Sequence, residues 1–187
     1  MTLTRVLGIA GSLRIGSYNR RILEAATELL PDADWTIARI RAIPPFDADI
    51  EARGLPPAVG VLKQQVADAD AVVLVTPEYN ASIPGVLKNA LDWASRPAHA
   101  SPFAGKPVVL VGASPGRGGA RRALEHLAQV MASMDAQLLG EPLSIPLVRD
   151  RFSTGELDAQ TRDELRRALE PAGSVGARDR EPVAAGR

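Results

Sequence analysis

The segment Gly8-Ile-Ala-Gly11-Ser-Leu-Arg14-Ile-Gly16-Ser17-Tyr-Asn19-Arg20 decides the fold of this chain. It follows a short apolar run and precedes a segment in which apolar residues recur every three or four positions. This order predicts a strand over residues 4–10, a turn, and a helix over residues 18–30. The start of a helix presents unpaired backbone N–H groups at the positive end of its dipole. Together with the serines, asparagine and arginine of the turn, this helix start predicts a binding site for a phosphate group.

Three common phosphate-binding motifs do not account for this turn. A P-loop ends in Gly-Lys-Ser or Gly-Lys-Thr, whereas Gly16 is followed directly by Ser17. The dinucleotide fingerprint is G-x-G-x-x-G, and the spacing of Gly8 and Gly11 does not match it. A phosphatase loop needs a cysteine, and the chain has none. Because glycine and serine are also ordinary turn residues, a polar turn without a ligand remains an alternative at this point.

Length, charge and composition exclude several classes of protein. The chain has 187 residues, of which 45% are hydrophobic, enough for one domain with a substantial core. Its 22 basic residues balance 22 acidic ones, which argues against a nucleic-acid partner and gives no reason to expect a membrane partner. The lack of cysteine excludes disulfides, thiolate nucleophiles and cysteine metal sites. No apolar run has the length of a membrane span, so we expect a cytoplasmic protein without a metal.

The remaining segments alternate between strand and helix patterns. Further strands are predicted at residues 35–40, 71–76, 107–112 and 137–140. Further helices are predicted at residues 57–69, 84–95, 120–134 and 156–169, with a loop around residues 44–51. Residues 1–170 are expected to form one domain, and the polar, Gly- and Ala-rich segment 171–187 is expected to be a disordered tail.

The order of these elements predicts the sheet. Strands that alternate with helices favour an α/β fold, a parallel sheet with helices on both faces. Five such strands fit the flavodoxin-like, doubly wound order 2-1-3-4-5. In that order the loops 11–18, 77–82 and 114–119 meet at the carboxyl edge of neighbouring strands, which favours a binding site over a polar turn. A phospho-acceptor receiver domain shares this topology but needs acidic residues at the ends of the first and third strands, which this chain lacks.

Two motifs resemble the signatures of one enzyme family. Gly11-Ser-Leu-Arg14 with Ser17-x-Asn19-Arg20 is similar to the phosphate loop of the NADPH-dependent FMN reductases. Pro77-Glu-Tyr-Asn80-x-Ser82-x-Pro84-Gly85-x-Leu-Lys88-Asn89-Ala-Leu-Asp92-Trp93 is similar to the second signature of that family. The resemblance extends over residues 4–170. It implies bound FMN, NADPH or NADH as the reductant, and a homodimer or homotetramer.

The resemblance also implies which residues contact the FMN. They are Gly11, Ser12, Arg14, Ser17 and Asn19 at the phosphate, then Pro77, Glu78, Tyr79 and Asn80 along the isoalloxazine, and Ser114 and Gly116 at its other edge. The second group is expected to act largely through backbone groups. Tyr79 is the aromatic residue placed to flank the ring, with packing against the following helix as its alternative role. Arg117 either meets the cofactor or the phosphate of NADPH, or is a solvated loop arginine.

In this family the flavin carries the chemistry, so the resemblance implies no catalytic side chain. Hydride passes from the nicotinamide to N5 of FMN and then to a small-molecule acceptor, in a ping-pong cycle if one site serves both substrates. The acceptor stays open among quinone, free flavin, azo compound and chromate. His126 is expected to be structural. His99 is also expected to be structural, with a place at the active site or a subunit contact as the alternative.

A flavodoxin-type electron carrier is the alternative function. Such a carrier binds FMN but has no small-molecule substrate, shields the flavin with aromatic residues and presents an acidic surface. This chain has two Trp, two Tyr and three Phe, and it carries no net negative charge. The enzyme is therefore the favoured interpretation.

The helix that follows the second signature carries two further side chains of interest. Trp93 lies off the main apolar face, and we interpret it as part of a subunit interface, with a core position as the alternative. Asn89 is expected to order the helix and its contacts.

Overall fold

Six strands form one sheet in the computed structural model, which describes residues 3–97, 100–153 and 155–175. They are β1 Thr4–Ala10, β2 Ala33–Ile37, β3 Ala71–Thr76, β4 Pro107–Ala113, β5 Gln137–Leu138 and β6 Leu143–Ile145. The order is β2-β1-β3-β4-β5, and β6 pairs with β4 beyond the end of β5. Every pair is parallel, so the flavodoxin-like order is confirmed, with six strands instead of the five predicted.

Helices cover both faces of the sheet, as predicted. They are α1 Tyr18–Leu29, α2 Ala48–Arg53, α3 Pro57–Asp68, α4 Gly85–Ala94, α5 Arg121–Ser133, α6 Val148–Arg151 and α7 Ala159–Gly173. Successive strand residues point to opposite faces, so β3 gives Val72 and Leu74 to one core and Val73 and Val75 to the other. The first core packs against α3, α4 and α5, and the second against α1 and α7.

The segment after β2 differs from the prediction. The strand ends at Ile37, and the chain then makes a 3-10 turn over Ile40–Ala42. The predicted loop contains α2, because Asp47 Oδ1 accepts a hydrogen bond from Asp49 N at 2.8 Å and caps the helix. A helix of six residues is too short to leave a clear periodicity in the sequence.

The region after β5 contains two short elements that the sequence did not predict. β6 has three residues and α6 has four, so neither carries a recognisable hydrophobic period. The last helix begins three residues later than predicted. Its start is fixed by Asp158, whose carboxylate accepts a hydrogen bond from Thr161 N at 2.8 Å.

The two ends of the described chain meet on the sheet. Helix α7 continues through Pro171 to Gly173 and so crosses the domain boundary predicted after residue 170. Thr4 Oγ1 donates a hydrogen bond to Gly173 O at 3.0 Å, which attaches the end of α7 to the start of β1. The rest of the predicted tail, residues 176–187, lies outside the described residues.

Trp93 belongs to the core and not to a subunit interface. Its side chain is fully buried, and its Nε1 donates a hydrogen bond to Pro44 O at 2.9 Å. Its ring packs edge-on against Phe46, with 4.9 Å between the ring centroids. Asn89 donates to Pro44 O at 2.8 Å and accepts from Phe46 N at 2.7 Å, so α4 holds this loop with two side chains. The interface interpretation of Trp93 is therefore wrong, whereas the ordering role of Asn89 is confirmed.

We expect Trp93→Phe to lower the free energy of unfolding by about 2 kcal/mol, because it removes a buried hydrogen bond and leaves unfilled volume. Urea denaturation followed by far-UV circular dichroism measures this change. Trp35→Phe is the matched control, since Trp35 is only half-buried on the edge strand β2 and its Nε1 donates to Leu30 O at 3.2 Å. An equal or larger cost for the control would contradict the core position of Trp93.

Candidate functional site

Three loops leave the same edge of the sheet. They follow the neighbouring strands β1, β3 and β4 and comprise residues 11–17, 77–82 and 114–119. The strands end nearly level, because Ala10 pairs with Val75 and Thr76 pairs with Gly112. The predicted convergence of the three loops is confirmed.

Specific hydrogen bonds join these loops to one another. Gly11 N donates to Val75 O at 2.8 Å, directly before the second loop. The buried Asn19 side chain reaches from α1 to the end of β4, where its Nδ2 donates to Ala113 O at 3.1 Å. The Glu78 carboxylate accepts from Arg122 N at 3.1 Å and thereby joins the second loop to the start of α5. The site is therefore held as one unit by contacts between distant parts of the chain.

The first loop presents a group of unused hydrogen-bond donors. The backbone N–H groups of residues 12–16, 18 and 19 have no acceptor within the described residues. Ser17 caps α1 by accepting from Arg20 N at 3.4 Å, and the positive end of the helix dipole adds to the field. The Arg14 side chain is exposed beside this group of donors. Unused N–H groups at a helix start, with a cation beside them, suit an anion such as phosphate.

Asn19 carries the buried side-chain acceptor that lacks a partner in the described part of the chain. Its Oδ1 is unpaired, while its Nδ2 uses one of two hydrogens on Ala113 O. A buried polar atom without a hydrogen bond lowers stability, so we expect this oxygen to accept a hydrogen bond from a group outside the described chain. Contact between Asn19 and a phosphate stays a prediction.

Gly11 lies in a tightly packed position. A Cβ added there would lie 2.9 Å from Leu87 Cδ2 and 3.1 Å from Thr76 Oγ1, so it would have to displace the end of the Leu87 side chain. The family resemblance implied that Gly11 contacts the phosphate of FMN. The packing against Leu87 is a second reason for a small residue at this position, and contact between Gly11 and a ligand stays a prediction. A Cβ at Gly16 would meet open space.

The second loop is a tight hairpin turn. Tyr79 N donates to Ser82 O at 2.9 Å, and Ser82 N donates to Tyr79 O at 3.0 Å. The two central residues, Asn80 and Ala81, have φ angles of 50° and 64°, which is the left-handed geometry of a type I′ turn. The backbone N–H groups of Glu78 and Asn80 have no acceptor among residues that the structure describes. The Tyr79 side chain is 53% exposed, so a large part of its surface is available to a ligand.

Two side chains of α5 hold this hairpin in place. His126 Nδ1 lies 2.7 Å from Ser82 Oγ, which gives the histidine the structural role predicted for it. Arg122 Nε donates to Glu78 Oε1 at 2.9 Å. Burial opposes ionisation of Glu78, but hydrogen bonds from Arg122 and from Ala123 N outweigh it and lower the pKa of the carboxyl. Since the carboxylate faces α5, only the backbone of Glu78 is left to line a ligand.

The third loop rests on elements that the sequence did not reveal. Ser114 N donates to Ile145 O at 3.3 Å, and Leu147 N donates to Gly116 O at 3.1 Å, so β6 and the turn after it support the loop. Arg117 is exposed at its tip and has no hydrogen bond or ion pair within the described residues. His99 lies outside the described residues.

The described residues offer neither a metal-binding cluster nor a membrane-spanning helix. Residues 3–97, 100–153 and 155–175 contain no cluster of His, Asp or Glu arranged to hold a metal ion. Within the same ranges, no helix combines the length and apolarity that crossing a membrane requires.

The sequence and the fold both match known flavoenzymes. The sequence model of the family described as NADPH-dependent FMN reductase matches residues 4–148. An NAD(P)H-dependent FMN reductase of Pseudomonas aeruginosa is 46% identical over 159 residues, which are 84% of this chain and 83% of that protein. A quinone reductase of Escherichia coli is 41% identical over 141 residues, 74% of each chain. FerB, an NAD(P)H:acceptor oxidoreductase from Paracoccus denitrificans, superposes with a TM-score of 0.84 at 29% identity, over 92% of this chain and 97% of its own.

We expect Glu78→Gln to lower the free energy of unfolding by about 1 kcal/mol at pH 7, because it removes a negative charge from the start of α5. The pKa of Glu78 is below its ordinary value of 4.5, so the stabilisation is complete above that pH and is lost as the pH falls through the lower value. The difference between variant and wild type should therefore shrink in acid. Chemical denaturation at several pH values measures it.

Glu125→Gln on the same helix is the matched control. Glu125 Oε1 lies 3.8 Å from Arg121 Nε, and both side chains are largely exposed, so its loss should change stability little. A Glu78→Gln variant as stable as this control at pH 7 would contradict a stabilising role for the contact between the Glu78 carboxylate and the start of α5.

Proposed function

The chain belongs to the NADPH-dependent FMN reductase family, and we propose that it passes hydride from NADPH or NADH, through bound FMN, to a quinone-like small molecule. It is an oxidoreductase with FMN as cofactor and NAD(P)H as reductant. The observation that supports the assignment to this site is a set of backbone N–H groups without an acceptor in the described part of the chain. They belong to residues 12–16, 18 and 19 of the first loop and to Glu78 and Asn80 of the hairpin.

The residues of the site fit FMN. Its phosphate is a multivalent anion, and the first loop offers backbone N–H groups, the Ser12 hydroxyl and the Arg14 guanidinium. The unpaired Oδ1 of Asn19 suits the hydroxyl groups of a ribityl chain, which can donate a hydrogen bond to it. We propose that Gly11, Ser12, Arg14, Ser17 and Asn19 hold the phosphate end.

The ring is proposed to lie against the other two loops. The free N–H groups of Glu78 and Asn80 can donate to the polar edge of an isoalloxazine and stabilise negative charge there. Proposed neighbours of the ring are Pro77, Glu78, Tyr79 and Asn80 on one side and Ser114 and Gly116 on the other. FMN, when bound, supplies the hydride chemistry. The protein then contributes rigid placement, because Asn19, Glu78 and His126 tie the three loops to one another or to α5.

The names of two relatives support a quinone as the acceptor. The Escherichia coli protein is named a quinone reductase, and a Burkholderia relative, 42% identical over 139 residues, is named a 2-hydroxy-1,4-benzoquinone reductase. Free flavin, azo compounds and chromate are further acceptors for the same site. We also propose a cytoplasmic location, since a chain without cysteine gains no disulfide from an oxidising compartment. We also propose that the protein forms a homodimer or homotetramer. Trp93 gives no support for this, because its side chain is buried within the chain.

We expect Arg14→Ala to weaken FMN binding about tenfold, because it removes a guanidinium that pairs with the phosphate. Titration of the apoprotein with FMN, followed by quenching of flavin fluorescence, gives the dissociation constant. The control is Arg53→Ala at the exposed end of α2, which removes an equal charge outside the three loops of the site. Equal affinity for FMN in the two variants would contradict the proposed phosphate-binding site at residues 11–19.

We expect the purified protein to be yellow and to oxidise NADPH or NADH with a quinone as acceptor. If one site serves both substrates in turn, double-reciprocal plots at several quinone concentrations should be parallel. Intersecting lines would contradict the ping-pong cycle. A yellow protein that oxidises neither nicotinamide with quinone, free flavin, azo dye or chromate would instead indicate an electron carrier.

A further inference from the structure

A cleft lies beside the first loop, on the side opposite to the 77–82 hairpin. Its volume is about 570 Å³, and it opens between the end of β1, helix α1 and the segment that follows β2. Because β2 and β3 flank β1 on opposite sides, the cleft and the 77–82 hairpin share the first loop as a common wall. This volume is in the range of small-molecule sites.

Three arginines make the cleft strongly basic. Arg20, Arg39 and Arg41 line it, against the single carboxylate of Glu24. The guanidinium groups of Arg20 and Arg39 have no hydrogen bond or ion pair within the described residues. Arg41 uses one Nη2 hydrogen on Leu13 O and keeps other donors free. Unpaired guanidinium groups around a cavity favour an anion with several oxygens.

Most of the other lining residues are apolar, with Ser12 and Thr27 as the polar exceptions. The apolar residues include Leu13, Leu23, Ile37 and Ile40, and Ile37 is exposed to the extent of 46%. A simple inorganic anion would leave this surface uncovered. A ligand that carries a flat apolar group beside its phosphate would cover the surface and pair with the arginines at once.

We propose that this cleft receives the adenosine 2′-phosphate end of NADPH and so makes the protein prefer NADPH to NADH. The inference rests on the proposed function. In dinucleotide-binding sheets an arginine near the end of the second strand accommodates this same phosphate, and Arg39 and Arg41 follow β2 here. The ends of β2 and β3 are two strand spacings apart, about 10 Å, which a dinucleotide can span from a nicotinamide held over the hairpin.

The FMN phosphate does not compete for these arginines. Its proposed partners are the N–H groups of residues 12–16, 18 and 19 together with Arg14. Arg20 and Arg39 are therefore left for a second phosphate. Arg117, on the third loop, is the rival residue for that phosphate, and it lies at the opposite side of the site from β2.

Steady-state kinetics with both nicotinamides tests the proposal. Arg39→Ala should lower the ratio of kcat/KM for NADPH to kcat/KM for NADH about tenfold, mainly through the KM for NADPH, because only NADPH carries the 2′-phosphate. The matched control is Arg167→Ala on the exposed side of α7, which removes the same charge elsewhere and should leave the ratio unchanged. A ratio unchanged in Arg39→Ala but lowered in Arg117→Ala would overturn the proposal.

Calorimetric binding of adenosine 2′,5′-bisphosphate provides a readout that does not depend on electron transfer. The wild type should bind it more tightly than 5′-AMP, and Arg39→Ala should remove most of that difference. Equal binding of the two nucleotides, or a difference that survives in Arg39→Ala, would overturn the proposal even if the enzyme is active. If instead the protein oxidises neither nicotinamide yet binds the bisphosphate through Arg39, the proposed function fails and the nucleotide site stands.

Discussion

Parallel pairing of β1, β3 and β4 is the constraint on which the rest of the structure depends. Parallel strands need a crossover helix between them, so the chain must return to the same edge of the sheet before each new strand. All their carboxyl ends therefore lie together, and three loops distant in sequence become neighbours. The hydrogen bond from Asn19 to Ala113 O exists only because of this arrangement, since 94 residues separate the two. The donors of the first loop and those of the hairpin are brought together in the same way.

Much of this arrangement could be predicted from the sequence, because its strongest signals are long and regular. The uninterrupted apolar runs of β3 and β4 indicate strands buried on both faces, and the glycine- and serine-rich turns mark their ends. The elements that escaped prediction are short. Helix α2, helix α6 and strand β6 have too few residues for a period to emerge, and tertiary contacts such as Ser114 N to Ile145 O hold them.

The site was predictable at the level of loops but not of individual atoms. The sequence places Glu78 in the second loop, yet nothing in it reveals that the carboxylate turns towards α5 and leaves only the backbone to line a ligand. Gly11 was expected to contact the phosphate of FMN, and the sequence does not reveal that this position also packs closely against Leu87 and Thr76. Trp93 was misjudged because its partners, Pro44 and Phe46, come from a loop with no pattern of its own. The arginines after β2 become informative only when the fold places them beside α1.

The bond between Thr4 and Gly173 has a consequence for how the chain is made. Ribosomes deliver the amino terminus first, so β1, which lies between β2 and β3, emerges long before the helix α7 that packs against it. Until α7 arrives, the apolar surface of α1 and β1 that it packs against stays open to water. Completion of this core must then await the synthesis of α7, and a nascent chain of this topology exposes apolar surface until that point.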